Sequence, residues 1–327
     1  MDRRNFLAAM ACALLMPAAH AQRQDKVWRV GFLAARRVES LNSDPVFRTF
    51  LPAMQELGYV EGRNLALELR FVEGDVARLD ALASELVKVR VDVIVAAGAT
   101  AVRAAQKASS KIPIVMGTAG DPVGAGFVKS LARPGGNITG LSDVAADLGV
   151  KLLDVLQSAV PRLDRVAVLL NPANPSHPAY LASIDEGARA TRVTVRRWPA
   201  RSEPEIGSAF SAMGKDNARG VIALSDPVFN NHQREIAELA ARHRLPCISG
   251  FRQYVHAGGL MNYGPDFAHN FQRAAGYVDR IFKGANPAEL PVEQSSRFEL
   301  AVNLKTARSL GITIPPALLV RADEVIQ

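Results

Sequence analysis

Ile112 to Ser142 reads IPIVMGTAGDPVGAGFVKSLARPGGNITGLS. A short apolar run, Ile112, Ile114, Val115 and Met116, ends in the small-residue loop Gly117-Thr118-Ala119-Gly120-Asp121-Pro122. A brief amphipathic segment follows, with Phe127, Val128 and Leu131 on its apolar side. Then come Pro134-Gly135-Gly136-Asn137 and a second β-like run from Ile138 to Leu141. A buried strand that delivers the chain to small residues is the start of a β–α unit. Asp121 is placed to cap the next helix, and Pro122 to open it. The free N–H groups of such a helix start can receive an anion. The plainer alternative is a capped strand-to-helix turn with no ligand.

The same unit recurs on both sides. Upstream, Val27 to Ala35 is an apolar strand. Phe47, Phe50, Leu51, Met54 and Leu57 then fall at helical spacing, and Gly58 closes that helix. Leu65, Leu67, Leu69 and Phe71 alternate as a strand, Leu79, Leu82, Leu86 and Val89 form a helical stripe, and Val91 to Ala97 is a buried strand ending in Gly98-Ala99-Thr100. Downstream, strands are expected at Arg165 to Leu170, Val193 to Trp198, Gly220 to Leu224 and Leu245 to Ser249, each separated from the next by a helical pattern. This alternation predicts an α/β fold with two doubly wound, mostly parallel sheets. The tail carries a strand at Leu260 to Tyr263, a long helix with Phe267, Phe271, Ala274, Val278 and Ile281, and a last strand at Phe298 to Asn303. One strand and one helix cannot build a third domain, so they are expected to return to the first. The expected division is residues 22–141 plus about 250–288 for lobe 1, and 142–249 plus about 289–327 for lobe 2. Several chain crossings between two such lobes make a hinge.

The chain has 327 residues, 48% hydrophobic and 22% charged, which permits a large core. Residues 1–21 read as a signal peptide. Arg3 and Arg4 lead into an apolar run, and Ala19-His20-Ala21 fits a cleavage site. Arg3-Arg4 with Phe6-Leu7 also fits a twin-arginine signal, and either export route suits the residues. The mature chain is expected to be periplasmic and soluble, since no later stretch reaches the roughly 18 apolar residues of a membrane span. Removing the signal leaves Cys247 as the one cysteine, in an apolar run, which excludes an internal disulfide and paired-cysteine metal sites. The net charge of +7 is spread along the chain. Arg36-Arg37 and Arg196-Arg197 are the densest pairs and lack interleaved aromatics, so no nucleic-acid partner is expected.

Catalytic and metal motifs are missing. The histidines form no H-E-x-x-H, there is no G-x-S-x-G, and Gly124-Ala125-Gly126 lacks the third glycine of a dinucleotide fingerprint. No cofactor, metal or catalytic residue is assigned. What recurs is small or polar loops at the carboxyl ends of strands, the edge where open α/β sheets bind ligands. The candidate ligand-binding set is Ala35, Gly98, Ala99, Thr100, Gly117, Thr118, Asp121, Ser142, Asn171, Asn174, Asp226, Phe229, Ser249, Gly250 and Tyr263. Thr100 and Thr118 offer hydroxyls to a carboxylate. Asp226 offers a carboxylate to an ammonium, or is an N-cap without a ligand. Asn171 and Asn174 are ligand groups or turn residues. Phe229, Phe251, Tyr254 and Tyr263 wall an apolar ligand or belong to the core.

Several segments carry a family resemblance. They are Leu57-Gly58-Tyr59-Val60-Glu61-Gly62-Arg63-Asn64, Gly120-Asp121-Pro122-Val123-Gly124-Ala125-Gly126, the run from Leu131 to Leu141, Gly258 to Gly264, Phe298-Glu299-Leu300 with Asn303 to Ala307, and Arg321 to Ile326. Across essentially the whole mature chain the sequence resembles ABC-transporter substrate-binding proteins related to the tryptophan/tyrosine uptake binding proteins. The resemblance implies a type 1 periplasmic-binding-protein fold with a three-crossover hinge. It implies capture of a small solute, an amino acid or other small carboxylate, and delivery to a membrane permease and ATPase by a monomer. It also implies ligand-facing loops at Gly98 to Thr100, Gly117 to Asp121, Asn171 to Asn174 and Ser225 to Phe229. Members often have Thr-Pro where this chain has Ala99-Thr100, so that hydroxyl arrives from a shifted position. Two other readings suit the same scaffold: a ligand-sensing subunit for a membrane receptor, and a periplasmic enzyme using Asp121 or Asp226.

Overall fold

A computed structural model describes residues 26–36, 44, 46–72 and 76–327. The expected signal peptide lies outside the described residues. The first sheet holds β1 (Trp28–Ala34), β2 (Leu65–Phe71), β3 (Val93–Ala97), β4 (Ile114–Thr118) and β5 (Ile138–Ser142). The second holds β6 (Arg165–Leu170), β7 (Thr194–Pro199), β8 (Gly220–Ala223), β9 (Cys247–Ser249) and β10 (Met261–Pro265). The tail adds β11 (Glu293–Gln294) to the first sheet, and β12 (Phe298–Asn303) and β13 (Glu324–Ile326) to the second. The orders are β11-β5-β4-β3-β1-β2 and β13-β12-β10-β9-β8-β6-β7. Among the described strands every pairing is parallel except β10 with β12. Both sheets run 2-1-3-4-5 through their first five strands, the doubly wound order whose direction reverses beside the first strand.

Each sheet is covered on both faces, which is why its central strands are apolar at nearly every position. Val30 and Phe32 point to one side of β1 and pack with α1 (Phe47–Glu56) and α10 (Phe267–Phe282). Leu33 points to the other and packs with α2 (Leu79–Lys88) and α3 (Ala99–Ala108). In the second sheet Val166 and Val168 meet α4 (Ala145–Ala159) and α5 (His177–Thr191). Ala167 and Leu169 meet α6 (Glu203–Lys215), α7 (Pro227–Asn231), α8 (Gln233–Arg242) and α9 (Gln253–His256). Cys247 is a buried thiol in that layer, pushed up to about 12 by burial. No described helix is long and apolar enough to cross a membrane.

Two expectations fail. No helix follows Asp121: residues 121–133 form successive turns. Gly124 and Gly126 disfavour a helix by about 1 kcal/mol each. Arg103, from α3, instead holds this segment by bonding the Ala125 carbonyl and lying over the Phe127 ring. The tail also divides differently from the expected 250–288 and 289–327. β10 stays in the second sheet, because it pairs with β9 on one side and β12 on the other. Of that stretch only α10 and the turn at Ala288, whose carbonyl accepts from Gly135 N–H, belong with the first sheet, and β11 returns there to pair with β5.

The lobes are joined by three crossings: Ser142 to Ala145, Pro265 to Phe267, and Gln294 to Phe298. The crossings bond to one another. Ser295 N–H donates to Ser142 O (2.7 Å), Asn270 Nδ2 donates to Ser295 Oγ (2.8 Å), and Asp266 N–H donates to Arg297 O (3.0 Å).

Gly140, in β5 just before the first crossing, has φ +122°, and a Cβ there would lie 2.6 Å from the Met116 nitrogen. Left-handed strain and a backbone clash then act together. Gly140→Ala is expected to cost about 2 kcal/mol or more in denaturant unfolding. A loss within about 0.5 kcal/mol, as at an ordinary surface site, would contradict this account.

Candidate functional site

The carboxyl ends of both sheets face a cavity of about 430 Å³ between the lobes, within the range of small-molecule pockets. It sits over both strand-order reversals. Ala35, after β1, and Ala97, Gly98 and Ala99, after β3, line it from the first lobe. Asn174, after β6, and Ser225 and Asp226, after β8, line it from the second. Gly98, at φ +94°, turns β3 straight into α3, whose first turn has no side-chain cap. That leaves helix N–H groups at the cavity wall.

The polar centre is Asp143, at the first crossing. Its N–H donates to Ala119 O (2.9 Å), and Thr118 Oγ1 donates to its carboxylate. The residue is buried, about 7% exposed, and burial pushes its carboxyl up to about 6 against the opposing Thr118 hydrogen bond. Tyr180, also in the wall, has its phenol raised by burial and by the charge of Asp143. Among the described residues, no hydrogen bond to the Asp143 carboxylate comes from a cation. Arg36, the guanidinium in the wall, is committed to Asp44 through two bonds, one of them 2.7 Å.

Asp226 is differently placed. Its carboxylate accepts from Asn171 Nδ2 (3.2 Å), Asn174 Nδ2 (2.9 Å) and Val228 N–H (2.9 Å). It therefore caps α7 and braces the β6–α5 loop. His177 completes this network: its Nδ1 accepts from Asn171 N–H (3.0 Å) while Nε2 lies 3.2 Å from Ser225 O. The first contact fixes the tautomer, with the proton on Nε2. Burial lowers the affinity of His177 for a second proton.

The apolar end is aromatic. Phe251 and Phe267 stack with centroids 5.3 Å apart, and Phe271 lies beside them in the wall. The lobes also touch directly. Gly120 N–H donates to Ser176 Oγ (2.9 Å), and Asn231 Nδ2 reaches the Ala35 carbonyl (3.4 Å). This is a closed arrangement.

Of the candidate set, Ala35, Gly98, Ala99, Thr118, Asn174 and Asp226 line the cavity. The others lie outside its wall. Gly117 backs onto the Phe271 ring, where a Cβ would clash. Asp121 accepts from Gly124 N–H in a turn. Thr100 turns into the protein, its hydroxyl enclosed and unbonded. Ser142 lies in the crossing and Asn171 behind Asn174, bonded to Ala173 N–H and to Asp226. Phe229 is core beneath α7. Ser249 Oγ holds the Phe251 N–H (3.3 Å), Gly250 packs on Ser225, and Tyr263 stacks on Phe298. Asp143, Arg36, Asp44, Ser176, Tyr180, Asn231, Phe267 and Phe271 were not among the candidates. Asp143 was within reach of the same strand-end rule, one residue past Ser142. The two phenylalanines read as an ordinary helical core stripe.

The chain is similar to known two-lobed proteins over most of its length. A curated tyrosine-binding protein of Clostridioides difficile (strain R20291) is 26% identical over 277 residues, covering 84% of this chain and 79% of its own. The crystal structure of a conserved domain protein from Vibrio cholerae superposes with a TM-score of 0.85 at 26% identity, over 92% of this chain and 100% of that one. An ABC domain from Streptococcus pneumoniae, solved in complex with L-Trp, gives 0.83 at 25% identity, over 91% and 99%. The family model for ABC transporter substrate binding proteins matches residues 37–326, and the chain belongs to that family.

Proposed function

We propose that this chain captures an amino acid with an aromatic or large apolar side chain outside the cytoplasmic membrane. It then presents the closed complex to a permease and ATPase. The observation that carries the reading is Asp143: a buried carboxylate in the cavity wall that, among the described residues, is hydrogen-bonded by a hydroxyl rather than a cation. A buried carboxylate without a cation is costly, and an α-ammonium supplies what is lacking. The first-turn N–H groups of α3 then suit the α-carboxylate. The Phe251–Phe267 pair and Phe271 suit the side chain. The names of the tyrosine-binding and L-Trp-bound relatives support the same class. Asp143 serves binding in this reading; the other two carboxylates of the wall are engaged within the protein, Asp44 by Arg36 and Asp226 by Asn171, Asn174 and the Val228 N–H.

Titration with L-tryptophan, L-tyrosine and their desamino analogues tests the class. The amino acids are expected to raise the melting temperature, with about 2.7 kcal/mol of stabilisation at 100 times the dissociation constant. The desamino analogues, lacking the ammonium, are expected to bind far more weakly. No response to any amino acid would sink the proposal.

The pH dependence follows from Asp143. Its carboxyl is raised from 3.8 to about 6 in the folded, empty protein. The folded state therefore binds the proton more tightly. Its contribution to stability is present below the ordinary value and is lost as pH rises through about 6. Ligand affinity runs the other way, because an ammonium needs the carboxylate. Calorimetric affinity is expected to weaken on acidification below about 6, by up to about ten-fold per pH unit. Asp143→Asn is expected to bind weakly at every pH, with a flat profile.

Closure has its own test. A Cβ on Gly120 would lie 2.7 Å from Ser176 Cβ and 2.9 Å from Tyr180 Cε2, across the cleft. Gly120→Ala should hold the lobes apart, enlarge the ligand-saturated protein in X-ray scattering and weaken binding by about ten-fold. Unchanged scattering and affinity would show that this contact does not limit closure.

A further inference from the structure

We infer that Glu203, His232 and Glu235, on the second lobe, form a site for a borderline divalent cation such as Zn2+. Glu203 is the first residue of α6, and His232 joins α7 to α8. Glu235 follows His232 at the i+3 position, one turn into α8, and so shares its face. α6 and α8 pack through Ile206, Phe210, Ile236 and Ala240, which fixes the start of one against the start of the other. The apolar contact thus brings residues distant in sequence to one point.

The His232–Glu235 spacing suits two ligands of one ion, and the exposed Glu203 would swing in to complete the set. His232 Nδ1 lies 3.3 Å from Glu235 Oε2 and 3.9 Å from Glu203 Oε2, and all three atoms lie within 4.8 Å of one another. Ligand atoms at about 2.0 Å from a tetrahedral zinc are themselves about 3.3 Å apart. A charge-assisted pair would close to about 2.7–2.9 Å along a hydrogen bond. Instead, Glu235 Oε2 is shielded from solvent and makes no hydrogen bond despite its distance from His232. The pair lies within ion-pair distance but is not aligned as a hydrogen bond, so this enclosed oxygen has capacity to spare, and a shared cation satisfies both groups. One imidazole with two carboxylates suits zinc, and leaves a fourth position for water.

The site is separate from the solute chemistry but mechanically next to it. His232 sits between Asn231 and Gln233, both in the cavity wall, and Asn231 reaches the first lobe at Ala35. An ion at His232 would brace the junction that carries both residues.

The test uses the full, untagged chain, stripped with chelator and titrated with zinc chloride by calorimetry at neutral pH, without amino acid. Melting temperature is measured in parallel. One zinc per chain and a rise in melting temperature are expected, with no comparable rise from magnesium. His232→Ala and the double variant Glu203→Gln, Glu235→Gln should each weaken zinc binding at least ten-fold. Their metal-free melting temperatures should stay near that of the parent, since all three side chains reach the surface. Absence of zinc binding would overturn the inference. So would equal affinity in both variants, which would place the ion elsewhere, for instance near His256 and Glu324, which lie 3.1 Å apart.

Discussion

A carboxylate taken out of water must be compensated, and Asp143 is taken out of water at the point where the chain first passes between the lobes. Its backbone binds the β4 loop through Ala119, and its side chain binds Thr118 at the end of β4. The neighbouring Ala145 N–H binds Gly120 O, and Gly120 N–H binds Ser176 across the cleft. One short run of chain therefore connects the hinge, the first-lobe loop and the second-lobe helix start. Only one charge in that chain of contacts lacks a cationic partner within the protein, among the described residues. Around that charge the cavity wall carries the side-chain amides of Asn174, Asn230 and Asn231 and the phenyl rings of Phe251, Phe267 and Phe271.

How much of this was legible in the sequence depends on how local the determining physics is. Buried strands announce themselves by apolar runs, and the alternation of strand and helix pointed to two doubly wound parallel sheets, while the strand order itself is read from the structure. The loop after β4 was misread because Asp121-Pro122 is a good helix start whose continuation carries Gly124 and Gly126. A local cap signal lost to poor helix formers immediately after it. The tail was misread because sheet membership is a matter of partners. β10 belongs to the second sheet through β9 and β12, and neither pairing leaves a trace in the β10 sequence itself. The site shows the same division. Strand-end loops were found, but which residue of each loop faces the cavity turns on a one-residue register. Thr118 faces it while Gly117 backs onto Phe271. Arg36 with Asp44, and the contribution of α10, depend wholly on tertiary placement.

The most recognisable segments turn out to build scaffold. Asn64 closes the turn at the end of Leu57 to Asn64, with Oδ1 accepting from Val60 N–H (2.7 Å) and Nδ2 donating to Gly58 O (2.9 Å). Asn137 ties the β5 entrance to Ser109 O and Ile112 O. Gly264 lets β10 pass against the Gly250 backbone, 2.9 Å from its carbonyl carbon to where a Cβ would stand. Asp323 receives the Leu300 N–H, and Glu324 receives Arg252. These contacts explain why the family is readable while the solute is not. The motifs encode turns, close approaches and edge pairings shared by any two-lobed binder of this type. On the proposed reading, discrimination would rest on Asp143 and the Phe251–Phe267 pair, which sit outside the longest motifs or at their margins.

Closure and charge are then linked by a simple energetic argument. In the closed, empty form Asp143 is desolvated, and near neutral pH it either keeps a costly charge or takes up a proton. Opening the cleft returns water to the carboxylate and removes the cost, so the empty protein gains by being open. A bound ammonium removes the same cost without opening. The ligand therefore has a differential interaction with the two states, which is the condition for shifting their populations. The apolar rings by themselves would favour closure with or without a guest, because burying Phe251 against Phe267 needs none. On the proposed reading, a charge without a cationic partner among the described residues opposes that collapse at the hinge, and closure then reports on the ammonium group of a solute rather than on hydrophobic contact alone.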